Sequence, residues 1–344
     1  MTTKKIFSFL LVILLIFSFS ACGKKNETEN SVSSNISSSS SATDSSKDNI
    51  NSTESDTVNK GSTPLLYKVT DDKGNYIWLF GSIHVGKDYF YPLPEYVTSA
   101  FDSADSLAVE ADIIAFEKDI KSQIKLLQPF VYTDGTKTKD HLSQELYNDA
   151  KNAMKDLKVY NFAMNYYKPV LWWNMIETTL YEKVGADSNL GIDRHLLNLA
   201  YKNKKTIHSI ESAEMQYYML ANFSDELQVF LLENAVEMHK DIPEFKKQIE
   251  DMMEVWAEGN EKKLIDTINS EVDTKEFTKK ELKLYNEYTE QMATTRNIGM
   301  TVWAENALKS GEKVFICVGS AHVVGKDSIS DLLSKKGYSV EIVK

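Results

Sequence analysis

The chain contains IWLFGSIHVGKD at residues 77–88 and, near its end, FICVGSAHVVGKD at residues 315–327. Each copy has an apolar stretch typical of a buried strand, then Gly-Ser, one small or apolar residue, His-Val and Gly-Lys-Asp. The second copy carries one extra Val. Gly81 and Gly319 let the backbone turn sharply without a clash of a Cβ atom. The repeat therefore predicts two equivalent strand–turn units, each with a histidine just beyond its strand.

Three side chains are predicted to meet at one edge of a sheet. In open α/β sheets, ligands bind at the carboxyl ends of the strands. His84 and His322 each follow a predicted strand, and Glu110 comes at the end of a third one, SLAVEAD at 106–112. Two imidazoles and one carboxylate form a ligand set typical of a divalent transition metal with open positions, which activates water and polarises a carbonyl. The alternatives are structural histidines and a Glu110 that caps a helix or forms a salt bridge.

The apolar spacing predicts an α/β fold whose central sheet is built from the strand–GSxH units at the two ends of the chain. LLYKVT and YIWLFGS flank DDKGN, a pattern typical of a hairpin. From about residue 114 to 310 the spacing is mostly helical and predicts a large helical insertion. Strands are predicted at 65–70, 76–82, 106–112, 206–212, 313–319 and 338–344, and helices at 94–103, 296–309 and 325–336.

The amino terminus has the pattern of a lipoprotein signal peptide. Lys4 and Lys5 precede an apolar stretch over 6–19, and Ser20-Ala21 stand before Cys22. The apolar stretch is shorter than the roughly 20 residues that span a bilayer. We therefore expect a signal peptide at 1–21 and a lipidated Cys22 that anchors the protein to the membrane, on its extracytoplasmic face. The alternatives are a plain signal peptide or an uncleaved anchor.

A Ser-rich segment separates Cys22 from the predicted domain. Residues 24–61 hold no aromatic side chain and only scattered apolar ones, so they cannot bury enough surface to offset the entropy of ordering. Residues 22–62 are predicted to be a flexible tether, and residues 63–344 to form one domain.

The charge of the chain excludes one class of partner. The formal net charge is −11, and −13 without the first 21 residues, which carry two lysines and no acid. An acidic protein of this kind repels phosphate backbones, so no nucleic acid is expected as a partner. The two cysteines, Cys22 and Cys317, cannot form a disulfide framework, and Cys317 is predicted to be a buried apolar residue within a strand.

These segments resemble the TraB/GumN family, which includes the Tiki proteins. The resemblance covers nearly all of residues 64–344. It rests on LFGSIHVG (79–86), YPLPEYVTSAFDSADSLAVEAD (91–112), SIESAEMQ (209–216), TRNIGMTVWAENAL (295–308) and VFICVGSAHVVG (314–325).

The resemblance implies a fold like that of Tiki proteins and erythromycin esterases, and it implies an activity. Tiki members are described as manganese- or cobalt-dependent proteases of extracellular polypeptides, and another branch shuts down peptide pheromone signalling. By this likeness His84, Glu110 and His322 hold the metal, and Arg296 lies in the site. Gly81 and Gly319 belong to the two family G-x-x-H motifs.

Two polar residues outside the repeat, Arg296 and Glu211, have two interpretations each, and a third, Asp193, has one. Arg296 binds a substrate carboxylate or an oxyanion, or it is the surface start of a helix. Glu211 either supports the site or is a helix-start carboxylate, and the second interpretation is preferred. Asp193 is interpreted as the cap of the helix that follows it.

The expected function is that of a metal-dependent hydrolase, most similar to a peptidase, acting on an extracellular peptide or protein. The cofactor is a divalent transition metal, namely manganese, cobalt, zinc or iron. Two alternatives remain open: a surface lipoprotein that captures a secreted peptide without cleaving it, and a hydrolase of non-peptide esters or amides.

Overall fold

A six-stranded mixed sheet lies at the centre of the protein in the computed structural model, which describes residues 61–270, 274 and 277–344. The strand order is β4-β3-β5-β2-β1-β6, in which β1 is antiparallel to both of its neighbours and the pairs β4–β3, β3–β5 and β5–β2 are parallel. The predicted α/β class and hairpin are confirmed. The strands are β1 (Leu66–Thr70), β2 (Tyr76–Ser82), β3 (Ser106–Val109), β4 (Thr206–Ser209), β5 (Val314–Gly319) and β6 (Ser339–Val343).

The two copies of the repeat lie side by side. Strands β2 and β5 pair in parallel, with Trp78 opposite Phe315 and Ser82 opposite Gly319. Strand β3 pairs with the other edge of β5, again in parallel. Because the three strands run in one direction, their carboxyl ends meet at one edge of the sheet.

Helices occupy most of the chain between β3 and β5, as the spacing predicts. A single π turn over Glu290–Thr294 joins α11 to α12. The helices are α1 (Glu95–Ser103), α2 (Ile113–Lys118), α3 (Ile120–Leu126), α4 (Gln144–Asp156), α5 (Pro169–Lys183), α6 (Ile192–Asn203), α7 (Ala213–Ala221), α8 (Asp225–Lys240), α9 (Ile242–Glu258), α10 (Glu261–Ser270), α11 (Lys279–Thr289), α12 (Thr295–Ser310), α13 (Ser320–Val323) and α14 (Ile329–Lys335).

Successive side chains of a strand point to opposite faces of the sheet. Both faces of this sheet are covered by other side chains. On one face Ile316 and Val318 of β5 belong to a buried cluster that includes residues of α12 and α14. On the other face the ring of Phe315 lies 5.6 Å from those of Phe80 and Phe101. Cys317 is fully buried in β5, as predicted.

Residues 1–60 lie outside the described part of the chain. The predictions that fall there are the signal peptide, the lipidated Cys22 and almost all of the tether. Ser62 is already buried, and its hydroxyl donates a hydrogen bond to the Phe90 carbonyl at 2.8 Å. Across the described part of the chain, no helix combines the length and apolar character needed to cross a membrane.

Candidate functional site

The ends of β2, β5 and β3 carry the three predicted site residues. His84 lies two residues beyond β2, Glu110 directly follows β3, and His322 lies in α13, which directly follows β5. The two copies of the repeat diverge here. After β5 the chain turns at once into α13, whereas after β2 it stays irregular and Gly86 forms an isolated bridge with Asp187.

Both motif glycines lie in close contact with the neighbouring strand end, and the contact is tighter at Gly81 than at Gly319. A Cβ atom on Gly319 would lie 3.3 Å from Glu110 Oε1, 3.7 Å from His322 Cδ2 and 3.7 Å from His84 Nε2. The three predicted site residues therefore surround one small space beside Gly319. A Cβ atom on Gly81 would lie 2.9 Å from the Ser320 hydroxyl oxygen, so a side chain there would separate the two strand ends.

His84 is oriented by a carboxylate. Its Nδ1 lies 2.8 Å from Asp193 Oδ2, and Ser82 donates its hydroxyl proton to Asp193 Oδ1 at 2.7 Å. Burial lowers the pKa of His84, but the charge and hydrogen bond of Asp193 outweigh burial and raise that pKa to about 9. With Nδ1 held by Asp193, Nε2 of His84 faces the space beside Gly319.

His322 is held in the same manner by an amide. Its Nδ1 lies 2.7 Å from Asn297 Oδ1, while Asn297 Nδ2 donates to the Asp327 carbonyl at 3.0 Å. This arrangement directs Oδ1 toward the imidazole and assigns the proton of the ring to Nδ1. Burial and the nearby Arg296 lower the pKa of His322 to about 3, so the ring is neutral at physiological pH.

Nε2 of His322 therefore carries a buried lone pair. The side chain is 1% exposed, and Nε2 has no hydrogen-bond partner among the described residues. Glu110 Oε1 lies 3.9 Å away, beyond hydrogen-bond distance. Since buried polar atoms are almost always paired, this unpaired acceptor, three residues beyond β5, is available to a ligand.

A buried ion-pair network holds Glu110. Oε1 accepts a hydrogen bond from the Gly319 backbone N–H at 2.8 Å, and Oε2 lies 2.5 Å from Arg296 Nη2. Arg296 also donates from Nη2 to Glu211 Oε2 at 2.7 Å and from Nε to Glu211 Oε1 at 2.9 Å. Burial alone raises the pKa of Glu110, but the charge of Arg296, together with the hydrogen bond from the Gly319 N–H, outweighs burial and lowers it.

The π turn before α12 contributes to this network. Arg296 donates from Nη1 to the Met292 carbonyl at 3.1 Å, inside the π turn. A π turn changes the pairing of backbone carbonyls, and such turns are frequent at functional sites. Arg296 is only 4% exposed, so the interpretation of this residue as a surface helix start is wrong.

Two preferred interpretations of polar residues are also wrong. Glu211 does not serve as the helix-start carboxylate, because Ser212 caps α7 by accepting from the Met215 N–H, and Glu211 binds Arg296 instead. Asp193 is not the cap of α6, which begins after Gly191. Both acids lie within one turn of a helix start, a position that fits a cap and a site residue equally well.

Asn297 is the site residue that sequence reasoning left without a role. The only sequence signal is its position next to Arg296 in the segment TRNIGM. One turn of a helix places both side chains toward the sheet edge, where Arg296 contacts the carboxylates and Asn297 contacts His322.

The side chains fit a divalent metal in donor type and anchoring. Metal-binding histidines usually donate their second ring N–H to a carboxylate or a carbonyl, and here Asp193 and Asn297 are such partners. As arranged in residues 61–270, 274 and 277–344, however, no group of three or more His, Cys, Asp or Glu side chains is placed to hold an ion.

The chain is similar to three curated proteins of unknown function. It is 24% identical to the uncharacterized protein YbaP of Escherichia coli (strain K12) over 190 residues, 55% of this chain and 66% of that protein. It is 25% identical to YbaP of Shigella flexneri over 180 residues, 52% of this chain and 62% of that protein. It is 21% identical to an uncharacterized protein of Treponema pallidum (strain Nichols) over 284 residues, 79% of this chain and 80% of that protein.

The aligned part of this chain thus spans somewhat less than two thirds of each YbaP protein. No solved structure gives a significant match. The family model of TraB/PrgY/gumN matches residues 65–342, a range that contains both GSxH motifs, Glu110 and Arg296. Because that range is most of the chain and nearly all of its sheet, the chain belongs to the TraB/PrgY/gumN family.

Proposed function

We propose that this protein is a metal-dependent hydrolase of the peptidase type, acting on an extracytoplasmic peptide or protein. One observation carries the proposal. Two imidazoles from repeated motifs are each anchored through Nδ1, and their Nε2 sides surround the space beside Gly319. A structural role for His322 would be expected to satisfy Nε2, which is buried without a partner among the described residues.

His84, His322 and Glu110 would hold the ion, with manganese, cobalt, zinc or iron as candidates. A bound divalent ion supplies a Lewis acid for the scissile carbonyl and a water nucleophile at neutral pH. The protein contributes the neutral state of His322 and the orientation of both rings. Glu110 Oε1 faces His322 and is the oxygen available to the site, since Oε2 is paired with Arg296.

Arg296 acts as a positioning residue in this proposal. Its Nε, Nη1 and Nη2 atoms all donate to protein acceptors, and its side chain is 2% exposed. A guanidinium in that state holds Glu110 in place and offsets the charges of Glu110 and Glu211. Direct contact of Arg296 with a substrate would require the network to open.

The proposal includes the place of the protein and its fold relationship. Lipidation at Cys22 would anchor the chain to the membrane, with the domain on the extracytoplasmic side where secreted peptides pass. A Tiki- and erythromycin-esterase-like arrangement is consistent with the parallel pairing of β3, β5 and β2 and with the helices between β3 and β5.

Peptide cleavage tests the proposed function. The full-length protein is incubated with a peptide mixture made by digesting a proteome, with each candidate metal or with EDTA, and new termini are identified by mass spectrometry. We expect metal-dependent cleavage that His84→Ala and His322→Ala each reduce by at least about 100-fold, since even loss of an outer-shell partner costs roughly 10- to 100-fold.

His208→Ala is the matched control, because His208 lies on β4 and contacts Glu312 rather than the site. Its activity should equal that of the wild type. Peptides that stay intact with all four metals would contradict the hydrolase. If those intact peptides co-purify with the wild type but not with His84→Ala, the protein captures peptides instead.

A further inference from the structure

We infer that a small cavity beside His84 binds an aliphatic side chain of the substrate, next to the bond that is cleaved. The cavity has a volume of about 30 Å³, and Gly319 and His84 form part of its wall. The inference rests on the proposed function for the nature of the substrate, but the binding of an aliphatic group can be measured without any cleavage.

The wall of the cavity opposite the strand ends is apolar and comes from the helical insertion. Met252 and Trp256 of α9 and Leu264 and Ile268 of α10 line it. Met252, Trp256 and Leu264 are at most 3% exposed. Ile268 is the half-buried member.

The indole N–H of Trp256 and the hydroxyl groups of Ser82 and Ser320, which line the cavity, form hydrogen bonds to other atoms of the protein. Trp256 donates its indole N–H to the Gly81 carbonyl at 2.9 Å. Ser82 donates to Asp193 at 2.7 Å, and the Ser320 hydroxyl donates to the Ser82 carbonyl at 2.9 Å. These side chains therefore present mainly carbon atoms, and Nε2 of His84 faces the neighbouring space beside Gly319.

This chemistry selects a ligand that is apolar and small. A charged or amide side chain placed in the cavity would lose its hydration without regaining hydrogen bonds, which disfavours its binding there. A volume of about 30 Å³ holds two or three groups of the size of water or methyl. Alanine and valine side chains meet both conditions, whereas phenylalanine exceeds the volume.

The cavity adjoins the site, so its occupant is fixed relative to the reacting bond. His84 and Gly319 belong both to the cavity wall and to the space where Glu110 and His322 converge. A peptide whose aliphatic side chain enters the cavity places its own backbone near that space. The cavity is therefore assigned as the specificity pocket of the site.

Saturation-transfer NMR tests the pocket on the full-length protein. The probes are N-acetyl amides of valine, phenylalanine and aspartate, each added separately. We expect saturation of the valine methyl groups and little signal from aspartate. Ile268→Phe, which fills the cavity, should weaken valine binding about tenfold, within the range that small changes in an apolar pocket produce. Ile268→Ala should shift the preference toward phenylalanine.

Ile265→Ala is the control, because Ile265 lies on the same helix and packs against the same core as Ile268 but does not line the cavity. It should keep the order of preference of the wild type. No valine saturation, or equal saturation in Ile268→Phe, would overturn the pocket. If the valine probe binds as expected while no peptide is cleaved, the pocket stands and the hydrolase proposal fails.

Discussion

Replacing Arg296 with methionine should lower the free energy of unfolding by about 3–5 kcal/mol, the cost of leaving buried charges without their partner. The guanidinium lies 2.5 Å from Glu110 and 2.7 Å from Glu211, and all three side chains are less than a tenth exposed. Methionine keeps most of the volume but leaves two carboxylates together in a buried place. Urea unfolding at pH 7 measures the loss.

The loss of stability caused by Arg296→Met should depend on pH and become smaller in acid. The folded-state pKa of Glu110 is lowered, so its stabilising contribution is present above the ordinary pKa of 4.5 and disappears as the pH falls below it. The difference between wild type and Arg296→Met should therefore shrink on acidification below about pH 4.5.

Two further variants separate charge from packing. Arg296→Lys keeps the charge and should retain part of the stability, although it loses the forked geometry. Adding Glu110→Gln and Glu211→Gln to Arg296→Met should restore part of the loss, because the buried charges are gone. A loss below about 1 kcal/mol for Arg296→Met would match an exposed pair and contradict a buried network.

Replacing Glu177 with glutamine should make the protein more stable at pH 8. Glu177 lies on α5, is 1% exposed, and its Oε1 has no hydrogen-bond partner within the described residues. Burial raises the pKa of Glu177 to about 8, although a hydrogen bond with Trp173 opposes the increase. The native protein thus holds a proton that the unfolded chain releases near pH 4.5.

The sign follows from proton linkage. A carboxyl group with a raised pKa in the folded state gives its full stability below pH 4.5 and loses it as the pH rises to about 8. Since one pKa unit corresponds to about 1.4 kcal/mol, the stability of the wild type relative to Glu177→Gln should fall by several kcal/mol across this range. Thermal unfolding from pH 4.5 to 8.5 measures it.

Glu182→Gln is the control for this measurement. Glu182 lies on the same helix and is exposed, so its replacement should leave the pH dependence unchanged. Wild type and Glu177→Gln should be closest in stability at the acidic end. Parallel curves over the whole range would show that Glu177 does not change its protonation on unfolding as expected.

The repeat made the centre of the fold predictable. Copies of one strand–turn unit favour equivalent positions in a sheet, and β2 and β5 are adjacent with Ser82 opposite Gly319. Apolar spacing located β3 and β4, and apolar residues at helical spacing indicated the helical insertion between β3 and β5. The edge position of Glu110 followed from the parallel direction of β3.

The residues that support the site were not predictable from local patterns. Asp193 reaches His84 from 109 positions away, Glu211 reaches Arg296 from 85, and Asn297 reaches His322 from 25. Their local sequence is that of ordinary helix starts, where acids and amides are common. Whether such a residue caps its helix or contacts a site residue depends on how the helical insertion packs on the sheet edge.

The apolar cavity wall formed by α9 and α10 could not be predicted from the sequence, for the same reason. Trp256 contacts the Gly81 carbonyl across 175 positions of chain, and nothing in the periodicity of a helix shows which strand end it will meet. The apolar wall of the cavity therefore appears only in the folded structure, although its helices were predictable as helices.

Metal content is the most direct test of the central claim, which is that both GSxH motifs and Glu110 form one metal site. The full-length protein, His84→Ala and His322→Ala are each equilibrated with manganese, cobalt, zinc or iron, dialysed, and analysed by mass spectrometry of the elements. We predict close to one ion per wild-type chain with at least one of these metals and its loss in both variants. An ion that either variant retains, or a wild type that binds none of the four, would contradict the shared site.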